Sequence, residues 1–291
     1  AAIKDVINSA PFEITPLLEK NNEFAGEVAV VTGGAAGLGR EICLALAAAG
    51  AKVLALDVDR AGLEETKLLS IERGGDLKVL QCDVADSKSV KSAFEFSEKE
   101  FGHCTIMVAA AGIALYTDYL SMGEKDMDRT IAVNLKGPLL CAQESLRQME
   151  KAGKGSIIFI SSVQAVMSLF GCVVYAATKS GLIAAARTLA LETGKMGVRV
   201  NTISPGTIDT PMLDMNLTQE QRRGLLLVFT LSIGIGAFYF LNSRPQPATQ
   251  AVDVVTPLIN QVEQSKLIIN VMRSFKLKRI LVNAWCNLYS K

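Results

Sequence analysis

A single histidine and a single tryptophan occur in the 291 residues, and the six cysteines are scattered without a C-x-x-C pair. The histidine, His103, follows Phe101-Gly102 in a turn-like stretch. Such a chain has almost no material for a His/Cys metal centre or a Ser-His-Asp triad, so no metal site is expected. Cys43, Cys82, Cys104, Cys141, Cys172 and Cys286 read as reduced core thiols in a reducing compartment. An excess of one charge is missing too. The formal net charge is +1, which gives no global attraction for nucleic acid. No secretory signal is visible at the start, and Ala1-Ala2 without methionine leads to the expectation that a leader or the initiator was removed.

What is present is apolar. Hydrophobic residues make up 49% of the chain, enough for one α/β domain with a sizeable core plus extra segments. Residues 1–23, with Pro11, Pro16 and Asn21-Asn22, read as a surface arm. From Val28, short apolar runs alternate with amphipathic stretches. The expected strands are VAVVTG, KVLALD, LKVLQCDV, TIMVAAAG, GSIIFISS and VRVNTISPG. The expected helices run from Leu38 to Ala49, Ala61 to Arg73, Ser87 to Phe101, through Asn134 to Lys151, and from Tyr175 to Thr193. Solid apolar strands separated by helices predict a parallel sheet covered on both faces. Right-handed crossovers make it a doubly wound, three-layer Rossmann sheet over 24–211.

That rhythm stops after Met212. A linker over 212–223 leads to 224–242, whose stretch from Gly224 to Leu241 carries no charge. As a helix it would span about 27 Å, close to a bilayer core of roughly 30 Å. It is expected to cross a membrane, the alternative being a buried helix of the globular domain. Arg222-Arg223 before it, against the lone Arg244 after it, place the Rossmann domain on the cytosolic, matrix or stromal side. Residues 243–291 read as a basic amphipathic tail: from Gln264 on it carries six Lys or Arg and no acid. It suits an anionic membrane surface or a protein partner, or simply this chain's own surface.

Thr32, Gly33, Gly37, Leu38 and Gly39 belong to TGGAAGLG, which follows a strand and opens a helix. A phosphate-binding turn needs residues without Cβ where backbone meets pyrophosphate, and a helix N-terminus supplies N–H groups. Asp57 ends the second strand, eighteen residues past Gly39. A carboxylate there accepts from both adenosine ribose hydroxyls and repels a 2′-phosphate, which favours NAD over NADP, although Arg60 lies close. Asp83 and Val84, at the end of the third strand, are positioned for the adenine edge.

Tyr175 and Lys179 are four apart in a helix and share one face. A free phenol titrates near pH ~10. A nearby ammonium and a nicotinamide cation favour the phenolate, so a lowered Tyr175 pKa is expected. Ser162 ends the strand SIIFISS, thirteen residues before Tyr175, and Asn134 lies in the helix opened by VNLKG.

TGGAAGLG, Asp57, CDVAD, VNLKG, ISS, YAATK and VNTISPGTIDT occur in an order and spacing that resembles the short-chain dehydrogenase/reductase family. The resemblance implies that Tyr175 is the general acid/base for a carbinol/carbonyl pair. It implies that Lys179 holds the nicotinamide ribose, Ser162 hydrogen-bonds the substrate oxygen, and Asn134 orders a water-mediated proton path. Pro205, Gly206, Ile208 and Thr210 would place the nicotinamide carboxamide. Ala110 and Gly112 would form the cofactor floor, in Ala109-Ala110-Ala111-Gly112 where the family usually has Asn-Asn-Ala-Gly. Loss of those amides predicts weaker bracing. After Pro211 the family's lid, helix and final strand are not recognisable, and Arg279 to Trp285 is a candidate replacement edge strand.

Two functions are compatible with these features. One is a membrane-tethered NAD-dependent oxidoreductase that interconverts a lipophilic secondary alcohol and its ketone. The other is a structural or accessory subunit of a membrane assembly, with little turnover. The resemblance implies a homo-oligomer packed through the helices that contain Asn134 and Tyr175, and Ala176, Ala184 and Ala185 would permit close approach.

Overall fold

In the computed structural model, residues 22–167, 170–206, 208 and 210–214 are described, with backbone only at 213 and 214. The strands are β1 (Val28–Thr32), β2 (Lys52–Asp57), β3 (Leu77–Gln81), β4 (Ile106–Ala109), β5 (Gly155–Ile160) and β6 (Val198–Ile203). They form one parallel sheet in the order β3-β2-β1-β4-β5-β6, the doubly wound arrangement expected from the sequence. The order reverses between β1 and β4, so the crevice at their carboxyl ends is the place for a ligand.

The helices are α1 (Gly37–Ala48), α2 (Arg60–Glu72), α3 (Ser87–Phe101), α4 (Glu124–Ile131), α5 (Gly137–Ala152), α6 (Val173–Thr193) and the short α7 (Pro211–Asp214). A strand's side chains alternate between faces, and the core divides accordingly. Ala29, Val31, Val53 and Ala55 pack with Ile42, Leu46 and Leu63 of α1 and α2. Val30, Leu54, Leu56, Met107, Ile157 and Phe159 pack with Phe94, Cys141, Met149 and Leu182 of α3, α5 and α6. Both faces of the central strands are therefore dry, which is why these strands read as solid apolar runs.

The fourth expected helix differs most from the sequence reading. It is α4, then a π-helical turn over Ala132–Lys136, then α5. α4 is polar along most of its length and has only Thr130 buried. The strands are shorter at their carboxyl ends than the apolar runs, because residues such as 110–112 and 161–162 leave the ladder to line the crevice.

All five described cysteines are free and buried. Burial pushes the Cys43 and Cys141 thiols far up and Cys104 up to about 12, so these sulfurs stay protonated and inert. The arm over 1–21, the apolar stretch 224–242, the basic tail and the proposed edge strand 279–285 lie outside the described residues. Among the described residues, no helix is long and apolar enough to cross a membrane. β6 is the last strand of the described sheet.

Candidate active site

The glycine turn after β1 is shaped by its own backbone. Gly33 has φ +74, and a Cβ there would lie 2.7 Å from the Ala111 nitrogen. A Cβ on Gly39 would lie 2.0 Å from the Gly33 carbonyl oxygen, so the first turn of α1 can sit on the loop only without a side chain. α2 and α3 are capped by the carboxylates of Asp59 and Asp86. α1 begins at Ala36 with no side-chain cap. Its first-turn N–H groups and positive dipole end are thus left for an anion, which fits a pyrophosphate. Leu38 packs half-buried against the core, and Thr210 stands over Gly37, its Cγ2 3.1 Å from where a Cβ would be.

Thr32 does not reach into this turn. It is buried, and its hydroxyl accepts from the backbone N–H groups of Ala110 and Ala111, both at 3.1 Å. The floor is therefore braced from β1 through main-chain amides, despite the alanines that replace the expected side-chain amides. Gly112 leaves a gap between Asn134 and Lys179: a Cβ there would sit 3.4 Å from both Asn134 Oδ1 and Lys179 Nζ.

Asp57 stands half-buried at the end of β2. Its Oδ2 accepts from Ala35 N at 3.1 Å and its Oδ1 from Asp59 N at 3.0 Å. Two backbone amides thus fix a negative charge beside the glycine turn. Arg40, the cation nearest in sequence to that turn, is tied down elsewhere. It donates to Thr66, the Ala35 and Gly62 carbonyls and Glu65. Asp83 closes a turn, its Oδ1 accepting from Ala85 N at 2.9 Å, and Val84 is buried under Gly137. The Pro205 carbonyl accepts from Val163 N at 2.8 Å, which ties the segment holding Pro205 and Gly206 to the end of β5. Ile208 is half-buried and its carbonyl accepts from the Thr210 hydroxyl at 3.5 Å.

The four candidate catalytic residues converge at the carboxyl ends of β4 and β5. Asn134 is fully buried inside the π-helical turn. Its Oδ1 accepts from Ile113 N at 2.8 Å and its Nδ2 donates to Ile113 O at 2.7 Å, so the side chain closes the β4 loop like one rung of a sheet. Such a turn inserts a residue into the helix and often marks a functional site. Ser162 leaves β5 in extended conformation, and its Oγ accepts from Gln164 N at 3.2 Å. The Ser162 hydroxyl is also hydrogen-bonded to the Tyr175 phenol.

The electrostatics differ from the sequence expectation in one respect. Burial pushes the Tyr175 phenol up to about 12, with Tyr116 and Cys172 adding to the rise and only the Ser162 hydrogen bond opposing it. The lowering expected from Lys179 is absent because its ammonium donates to the Ile160 carbonyl at 2.9 Å, 5.7 Å from the Tyr175 ring centre. Lys179 is itself buried and forms none of the ion pairs among the described residues. Desolvation pulls its pKa down to about 8.

Two residues here escaped the sequence reading. Tyr116, on the loop after β4, accepts from Gln164 Nε2 at 3.1 Å. Thr117 N donates to the Gly171 carbonyl at 3.1 Å, which clamps this loop to the approach of α6. The only signal in the sequence was the position of Gln164, two after Ser162. The segments around this clamp expose Leu120, Val166, Met167, Phe170 and Val173.

Residues 27–221 match the family described as short chain dehydrogenase. D-threitol dehydrogenase of Mycolicibacterium smegmatis is 39% identical over 190 residues, 64% of this chain and 72% of that protein. The (3R)-3-hydroxyacyl-CoA dehydrogenase of Homo sapiens is 37% identical over 200 residues, covering 66% and 77%. The crystal structure of a levodione reductase superposes with a TM-score of 0.63 at 31% identity, over 65% of this chain and 74% of that one. The doubly wound sheet, the uncapped glycine turn and these matches lead to one statement: the chain belongs to the short-chain dehydrogenase family.

Proposed function

We propose that the chain is an NAD-dependent oxidoreductase that interconverts a secondary alcohol and its ketone. The observation that carries this reading is the meeting of Tyr175, Ser162, Asn134 and Lys179 around the crevice, three of them buried and Tyr175 half-buried. A purely structural role does not require a lysine and a phenol to be desolvated together.

The uncapped start of α1 would hold the pyrophosphate, Asp57 the adenosine ribose, and Lys179 the nicotinamide ribose. A bound nicotinamide supplies the hydride acceptor or donor. In the oxidative direction, Tyr175 would act as the phenolate that a bound nicotinamide cation favours: its Oη takes the carbinol proton, the C–H hydride would pass to the nicotinamide, and the C–O single bond becomes a carbonyl. Ser162 Oγ donates to the carbinol oxygen and holds it against Tyr175, so orientation supplies much of the rate. Asn134, locked to Ile113, fixes the floor along which the proton passes on to water. NAD rather than NADP is favoured by the fixed charge of Asp57 and by the engagement of Arg40 with Glu65 at 2.6 Å.

The exposed apolar residues around the clamp suit a lipophilic substrate. A membrane tether through 224–242, with the Rossmann domain on a reducing side, belongs to the same proposal, and carbonate extraction of the expressed chain tests it. Homo-oligomerisation through α5 and α6 fits the exposure of Leu139 and Leu191, and light scattering tests that.

The functional test is NADH formation by the full chain in detergent, against a panel of secondary alcohols. Turnover that falls by about 100-fold or more in Tyr175→Phe is the expected result. NAD binding with no turnover on any alcohol, together with co-purifying proteins, would favour the accessory-subunit reading instead.

A further inference from the structure

The Tyr116–Gln164 pair has unused hydrogen-bonding capacity beside the reacting centre. Gln164 is 8% exposed and lies two residues after Ser162, to whose Oγ its N–H donates at 3.2 Å. Its Nε2 donates to Tyr116 Oη at 3.1 Å. Its Oε1 is closed to solvent and has no hydrogen-bond partner among the described residues. The Tyr116 oxygen accepts from Gln164, so its own proton is directed elsewhere, and among the described residues no acceptor takes it. Burial pushes that phenol up, so it stays protonated, a donor, at neutral pH. One linked pair of side chains therefore offers one donor and one buried acceptor. The Thr117–Gly171 clamp holds it against the approach to Tyr175.

A hydroxyl is the group that answers both at once, accepting from Tyr116 and, with the rotation of the Gln164 side chain that opens its sealed Oε1, donating to that oxygen. A ketone oxygen satisfies only the phenol. A carboxylate meets the lone pairs of Oε1. An alkyl chain satisfies neither and leaves the buried amide oxygen unpaired. We propose that Tyr116 and Gln164 form a specificity subsite for a second substrate hydroxyl, on the carbon adjacent to the carbinol or one beyond it. This names the substrate class of the alcohol–ketone site and rests on that reading.

The test uses the full chain with NAD and matched alcohols of equal chain length. Secondary butanols, hexanols and octanols are compared with the diols that add a hydroxyl on the adjacent or the next carbon. The expected kcat/KM for the preferred diol exceeds that for the mono-alcohol by about 10-fold. Tyr116→Phe and Gln164→Leu each bring that ratio close to one. A wild-type ratio near one overturns the subsite. So does an equal loss on diol and mono-alcohol in both variants, which is the mark of a merely structural pair. If no alcohol is turned over, the redox reading itself fails, and the subsite is then judged by binding. Calorimetry of the same alcohols on Tyr175→Phe with NADH supports it if diols bind more tightly and Tyr116→Phe in that background removes the difference. Equal affinities overturn it.

Discussion

Replacement of Lys179 by methionine should make the protein more stable and less active. The Lys179 ammonium is buried, has a backbone carbonyl as its hydrogen-bond partner, and forms no ion pair among the described residues. Desolvation lowers its pKa from 10.5 to about 8. That gap corresponds to a burial cost on the order of 3 kcal/mol at neutral pH. Loss of the hydrogen bond to Ile160 takes back about 1 kcal/mol, so Lys179→Met should gain on the order of 2 kcal/mol at pH 7. The pH dependence identifies the cause. A depressed folded pKa gives stability that is fully present above the unfolded value and is lost as pH falls through the folded one. The wild type should therefore catch up with the methionine variant by about 2 kcal/mol between pH 7 and pH 10. Above that, Tyr175, pushed up to about 12, acts in the opposite direction in both proteins. Guanidinium unfolding across that range, with equal slopes for both chains, measures the difference. A wild-type-to-variant gap that does not change with pH would refute the reasoning, because a buried charge would then not be its source.

Asp57→Asn keeps the shape at the end of β2 but removes the charge that two amides hold in place. The ratio of kcat/KM for NADP to that for NAD should rise by about 10-fold, read from initial rates with each nucleotide. Thr32→Val leaves the Ala110 and Ala111 amides without their acceptor. A loss of about 2–3 kcal/mol in chemical denaturation is expected, with a raised KM for the cofactor. Gly39→Ala drives a methyl into the Gly33 carbonyl, so the turn must open. Nucleotide affinity by calorimetry should fall beyond detection, while circular dichroism keeps the helical signal of the distant α6.

The central sheet was legible because its strands are buried on both faces. Runs such as VAVVT and KVLALD carry no polar side to confuse the pattern, and the glycine turn announced the first crossover. The spacing of Tyr175 and Lys179 likewise placed both on one face of α6. What a spacing does not carry is the direction of a flexible side chain. Lys179 has four methylenes, and tertiary contacts turn its ammonium toward Ile160 rather than the phenol. α4 was hidden because it is exposed on nearly every side, and the π-helical turn holds an Asn134 whose two bonds reach Ile113, twenty-one residues away, a contact no local pattern announces. Tyr116 and Gln164 lie forty-eight residues apart in loops, where no periodicity links them.

The claim on which the rest depends is that Tyr175 gives up its proton once a nicotinamide lies beside it. Its phenolate absorbance, taken as the difference between wild type and Tyr175→Phe, can be titrated with and without NAD. Without nucleotide, the transition should lie at about 12. With saturating NAD, it should fall below the free-chain value of about 10. A transition that stays at the same pH when NAD is bound would contradict the account.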